Sequence, residues 1–128
     1  SQNLIDKYNI KNQGLTRPVR LLSGCNQQKI ILAREIDVQP EVLIVYQPTR
    51  GLDIGATQQV RNLLLSERNS GRGIILISAD LDEVLSLSDR VAVLVCGELM
   101  GILEGQNGFD VELIGAMMGG KSIVQTNR

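Results

Sequence analysis

Residue types that could do chemistry gather in a few short stretches. In LLSGCNQQK, residues 21–29, Ser23 and Gly24 stand at the head of a segment that from Cys25 runs without Gly or Pro to Pro40. A helix starting there would aim unpaired backbone N–H groups and its positive end outward, which favours a phosphate. The same residues also suit a plain helix start capped by Ser23. In VYQPTRGLD, residues 45–53, an apolar run ends on Tyr46 and Gln47 and a loop leads to Asp53. Tyr46 brings a phenol and Gln47 an uncharged amide, so neither offers a carboxylate. Tyr46 also fits an ordinary strand end, and Asp53, just before IGA, suits the start of a helix.

Composition narrows the partners. With 43% apolar and 21% charged residues in 128, the chain has material for one soluble globular domain or a large piece of one. The apolar supply is aliphatic, with no Trp, two Tyr and one Phe, so stacking of bases is disfavoured. A net charge of -1 with mixed signs lacks the electrostatic footprint of nucleic-acid binding. Histidine is absent, which removes imidazole as ligand, base or pH switch. Cys25 and Cys96 have no C-x-x-C spacing and read as thiols of a reducing compartment. No apolar run approaches the ~20 residues of a membrane span, and no secretory signal pattern opens the chain. A first residue of Ser rather than Met reads as processing or as a cut from something longer.

The elements that must position these residues follow from periodicity. Residues 3–8 read as the end of a helix, and KNQGLTRPV as a loop. Ile30, Ile31, Ala33, Arg34 and Ile36 predict a helix from Gly24 to about Asp37. VLIVY and IILIS read as strands buried on both faces, separated by an amphipathic helix carrying Ala56, Val60, Leu63 and Leu64 and ending near NSGRG. DLDEVLSL predicts a short acidic-led helix, RVAVLV a strand, and ELMGIL a strand turned back antiparallel at Cys96 and Gly97. DVELIGAMM predicts a last helix, and GGKSIVQTNR a frayed tail. Alternating strands and helices give an α/β fold with a mostly parallel sheet and a C-terminal antiparallel strand.

Taken in order, LSGCNQQK, VLIVYQPTRGLD and ILISADLDEVLSLSDRVAVLVCGELMG resemble the signature motif, the Walker B strand with its D-loop, and the switch region of an ATP-binding-cassette (ABC) domain, a P-loop NTPase fold. LSGCNQQK, PTRGLDIGA and DVELIGAMMGGK look like the second cassette of the tandem ATP-binding subunits that serve simple-sugar and nucleoside importers. The resemblance runs from Leu22 to Lys121. It implies that residues 1–21 close a helical subdomain and its loop, that 22–118 form the C-terminal portion of one cassette, and that 119–128 are a tail. It also implies that the family's Walker A loop, adenine-stacking aromatic and Q-loop lie upstream of the matched residues.

By that resemblance Ser23, Gly24, Cys25, Asn26 and Gln27 would face a nucleotide held by a partner cassette, with Cys25 where a second glycine usually stands. A Cβ there crowds an approaching ligand. Tyr46 and Gln47 occupy the places of the Walker B Asp and Glu, and Ala79 that of the switch histidine, so no catalytic residue and no metal ligand is carried over. Asp53 matches the D-loop acid. Gly115–Ser122, GAMMGGKS, satisfies G-x-x-x-x-G-K-[ST] letter for letter, but a helical stretch precedes it where a phosphate loop needs a strand, so it reads as a chance match with Lys121 solvated.

The implied role is an ABC importer's ATP-binding subunit whose cassette presents its signature motif to a partner cassette and hydrolyses nothing as an isolated chain. ATP and Mg²⁺ would belong only to the complete assembly. The implied place is cytoplasmic, peripheral to the inner face of the cell membrane, against permease subunits. Two rivals stand beside this: Ser23, Gly24 and Asp53 complete an active composite site, or the chain is an α/β interaction module with vestigial motifs. The family also places the Walker A strand between the counterparts of IILIS and RVAVLV. Without it, those two strands are expected to close on each other or to leave edges that self-pair.

Overall fold

The computed structural model describes the backbone from Gly24 to Ile123 and the side chains from Gln27 to Ile123. The helix expected at residues 3–8, the following loop and the Ser23 cap lie outside the described residues. The chain divides into two compact units, one up to Ala79 and one from Asp80 onward.

The first unit contains α1 (Gly24–Asp37), β1 (Val42–Tyr46), α2 (Ile54–Asn69) and β2 (Gly73–Ile77). Helix α1 has the expected span, but its buried face is Leu32, Ala33 and Ile36, while Ile31 is exposed. It ends as Gln39, at φ 53°, donates its N–H to the Ile36 carbonyl at 2.9 Å, and Pro40 prevents further helix. Helix α2 buries Ala56, Val60 and Leu64, spaced four residues apart on one stripe. Its end is closed by Gly71 at φ 94°, whose N–H meets the Arg68 carbonyl while that of Arg72 meets the Glu67 carbonyl. These are the two bonds of a Schellman cap. Arg72 pairs with Glu67 at 3.3 Å and donates to the Ile36 carbonyl at 3.2 Å, so one side chain joins the C-terminal ends of α1 and α2.

Strands β1 and β2 pair in parallel, with Val42 opposite Gly73, Ile44 opposite Ile75 and Tyr46 opposite Ile77. Leu43 and Val45 are buried, but the other face is open: Ile44 is 67% and Ile75 51% exposed. The expectation of two strands covered on both faces is therefore corrected. An unbroken aliphatic run is suited to two-sided burial, but only one face of this pair is covered.

The second unit contains α3 (Leu81–Leu87), β3 (Arg90–Val95), β4 (Glu98–Glu104) and α4 (Val111–Met118). Strands β3 and β4 form an antiparallel hairpin around Cys96 and Gly97, both at positive φ, which is the backbone of a type I′ turn. The register slips between Val93 and Leu94, because Val93 faces Gly101 and Leu94 faces Leu99, leaving Met100 as the extra residue of a bulge. Val91, Val93, Met100, Ile114 and Met117 form the core, flanked by partly buried side chains of α3, β3, β4 and α4.

The tail departs from expectation in part. Ile123 donates its N–H to the Met100 carbonyl at 2.7 Å, and its side chain lies over Gly101, where an added Cβ would collide with it. Residues 124–128 are outside the described residues. The strands form two separate sheets, β1 with β2 and β3 with β4. Closure of β2 directly on β3, one of the two expected outcomes, is not among the pairings of the described residues.

Candidate functional site

Three of the residues singled out by their chemistry, Tyr46, Gln47 and Ala79, lie at or just past the ends of the two parallel strands. Tyr46 is the last residue of β1 and is 69% exposed. Its register partner Ile77 is the last residue of β2. Gln47 leaves the strand at φ 48° and donates its backbone N–H to the Ile77 carbonyl at 2.8 Å. Its side-chain Oε1 accepts the backbone N–H of Ala79 at 3.3 Å. The structure thus brings Tyr46, Gln47 and Ala79 together, two of them joined by a hydrogen bond.

The loop that follows is a sequence of tight turns. Pro48 is fully buried, Arg50 donates to the Gln47 carbonyl at 3.3 Å, and Leu52 donates to the Thr49 carbonyl at 3.1 Å. Gly51 holds φ 75°, a conformation that disfavours any residue with a Cβ. Asp53 then accepts the Ala56 N–H through Oδ1 at 2.7 Å and caps α2. One oxygen of the carboxylate is engaged by the helix it starts, as the helix-start reading of this residue expected.

At the head of α1, Gly24 is the first helical residue, and Cys25, Asn26 and Gln27 lie in the first turn. Ser23 and the side chains of Cys25 and Asn26 are outside what the structure describes; Gln27 is half-buried and has a partner.

The phosphate-loop pattern at Gly115–Ser122 is a helix end. Gly119 follows α4, Gly120 holds φ 92°, its N–H meets the Met117 carbonyl at 2.9 Å, and the Lys121 N–H meets the Ala116 carbonyl at 3.1 Å. The N–H groups that a phosphate would need are turned back onto helix carbonyls. The Lys121 residue is exposed.

Among the described residues, no group of three or more His, Cys, Asp or Glu is arranged to hold a metal ion. The donors at the end of β1 are a phenol and an amide whose oxygen already receives an N–H. That donor set does not fit Mg²⁺, which takes carboxylate oxygen and water. Two residues of structural weight escaped the sequence reading. Arg72 followed a visible signal, the Gly-Arg-Gly after a helix, but its reach to Ile36 did not. Glu83 is fully buried in the first turn of α3, its N–H accepted by Asp80 at 3.2 Å, a burial that the acidic-led helix start DLDE does not announce.

No protein-family model matches the chain. It is 42% identical over 120 residues to the nucleoside import ATP-binding protein NupA of Lactococcus lactis, covering 94% of this chain and 24% of that protein. It is 40% identical over 122 residues to the guanosine import ATP-binding protein NupO of Bacillus subtilis, covering 95% and 24%. Over 99 residues it is 48% identical to the ribose import ATP-binding protein RbsA of Clostridium perfringens, covering 77% and 20%. Among solved structures, a nucleotide-free ATP-binding cassette from an ABC transporter matches with TM-score 0.75 at 19% identity, over 90% of this chain and 44% of that one. A dimeric cassette in a post-hydrolysis state with ADP and phosphate matches with TM-score 0.70 at 20% identity, over 80% and 44%.

The chain belongs to the ATP-binding-cassette family, and its fold is part of the cassette's P-loop NTPase domain. The curated relatives named above are ATP-binding proteins of sugar and nucleoside importers, and the chain spans about a quarter of their length or less.

Proposed function

We propose that this chain is the C-terminal portion of the second cassette in the ATP-binding subunit of an importer for simple sugars or nucleosides. In this reading the cassette has lost its own hydrolytic groups and presents the head of α1, from Ser23 to Gln27, to a nucleotide held by a partner cassette. ATP and Mg²⁺ enter only with that partner, and permease subunits hold the assembly at the inner face of the membrane. Among the described residues no helix is long and apolar enough to cross a bilayer, so attachment in this reading is through protein contacts.

The observation that carries the proposal is the end of β1. Phosphoryl transfer asks the protein mainly for positioning and charge stabilisation, and a phenol followed by an amide provides neither an anionic metal ligand nor a base. Ala79 has no side-chain donor for a phosphate oxygen, and its N–H is engaged by Gln47. The relatives' printed functions supply the importer class, and the open apolar face of β1 and β2 fits a domain whose remaining layer comes from elsewhere.

Mixing the chain with Mg²⁺ and ATP should release phosphate at the rate of buffer alone; sustained turnover would refute the proposal. Ser23→Arg in the full assembly should stop transport-coupled hydrolysis if the head of α1 faces the partner's nucleotide. Unchanged hydrolysis would favour the interaction module with vestigial motifs.

A further inference from the structure

The loops that follow β1 and β2 are tied at one residue. The backbone bond from Gln47 to Ile77, at 2.8 Å, extends the parallel ladder one step past the last register pair. The side chain reaches in the same direction to the Ala79 N–H at 3.3 Å. Ala79 lies two residues beyond the end of β2, where no ladder bond is available, and the Gln47 amide is what receives its donor. Between these two bonds Gln47 holds φ 48°, a left-handed conformation that a side-chain-bearing residue keeps only when its surroundings fix it. The buried Pro48 and the bond from Arg50 back to the Gln47 carbonyl do so from the other side.

We propose that Gln47 is a positioning residue that couples the loop after β1, residues 47–53, to the residues that leave β2, 78 and 79, so that neither rearranges without the other. That loop delivers the Asp53 cap of α2, and residues 78 and 79 lead directly into Asp80, the cap of α3. The coupling requires an acceptor at the right distance and does not require charge. A glutamate of the same length would accept the same N–H, and a hydrocarbon would not. The inference goes beyond the functional reading above and does not depend on nucleotide being bound.

Site-resolved amide hydrogen exchange on the 128-residue chain tests it. Gln47→Met keeps the length and removes the acceptor. Exchange at Ala79 should then accelerate about three- to tenfold, the range expected for one net hydrogen bond, while the strand amides of β1 and β2 keep their rates. Gln47→Asn tolerates the left-handed backbone but is one carbon short, and should give the same local acceleration, which guards against strain peculiar to methionine. Gln47→Glu should return Ala79 to within about twofold of its original rate, a rescue that loss of general stability would not produce. Unchanged exchange at Ala79 in both the Met and Asn variants would overturn the proposal. So would equal acceleration at Ala79 and in the strands, or failure of the Glu variant to rescue.

Discussion

Strands β1 and β2 run parallel and are joined through α2, whereas β3 and β4 run antiparallel and are joined by Cys96 and Gly97 alone. The two pairs draw on the same aliphatic residues. In the hairpin, Val91, Val93 and Met100 reach a shared core with Ile114 and Met117 of α4, the last two almost wholly buried. In the parallel pair, Val42, Ile44, Tyr46, Ile75 and Ile77 remain on an open face. A hairpin with a helix behind it can close a core from neighbouring sequence, while a parallel pair uses a crossover helix on one face and needs a second layer on the other. The first unit is therefore the part with an uncovered apolar face, and it is also the part whose strand ends carry the candidate site.

The largest expected effect lies in the self-contained unit. Ile114→Ala removes a side chain that is 1% exposed, and a loss of about 2–5 kcal/mol is expected from transfer and cavity terms together, read by urea denaturation. A smaller loss would show that the hairpin core is less complete than its burial implies. Gly101→Ala places a Cβ against Ile123 and 2.7 Å from the Met117 sulfur. Overpacking of this kind costs about 1–3 kcal/mol, unless the C-terminal strap lifts, which proteolysis after Lys121 would report.

In the first unit, Asp53→Ala removes the cap from α2 and should cost about 1 kcal/mol, with helix signal lost from its first turn. The smallest effect expected is that of Ile44→Thr. On an open face it should change the stability of this chain by no more than about 0.5 kcal/mol. The same substitution in a longer polypeptide that supplies the second layer should cost more, since a hydroxyl would then be buried. Equal effects in both settings would break the contrast between the two regions.

Much of this was legible in the sequence, because it depends on local rules. The Cys96-Gly97 turn, the α2 stripe of Ala56, Val60 and Leu64, and the ordered motifs each follow from a few neighbouring residues. The burial of β1 and β2 was overestimated because an apolar run records what a strand is suited to, and says nothing about whether the covering layer is at hand. The spacing gives the span of α1 but not its buried face, since apolar residues at 30, 31, 32, 33 and 36 offer two overlapping stripes and it is Leu32, Ala33 and Ile36 that are buried. Glu83 and the Arg72 bridge depend on contacts made only after folding. For the candidate site, the residue types at 46, 47 and 79 could be read directly, whereas the bond between Gln47 and Ala79 spans 32 positions and could not.

In the proposed reading the end of β1 offers no seat for a divalent ion beside a triphosphate. Titration of Mn²⁺ and ATP onto the isotopically labelled chain, followed by paramagnetic broadening of the amides of Tyr46 and Gln47, tests this most directly. The account predicts no broadening at these two residues beyond that of other exposed amides. Selective loss of their signals at stoichiometric metal would contradict it.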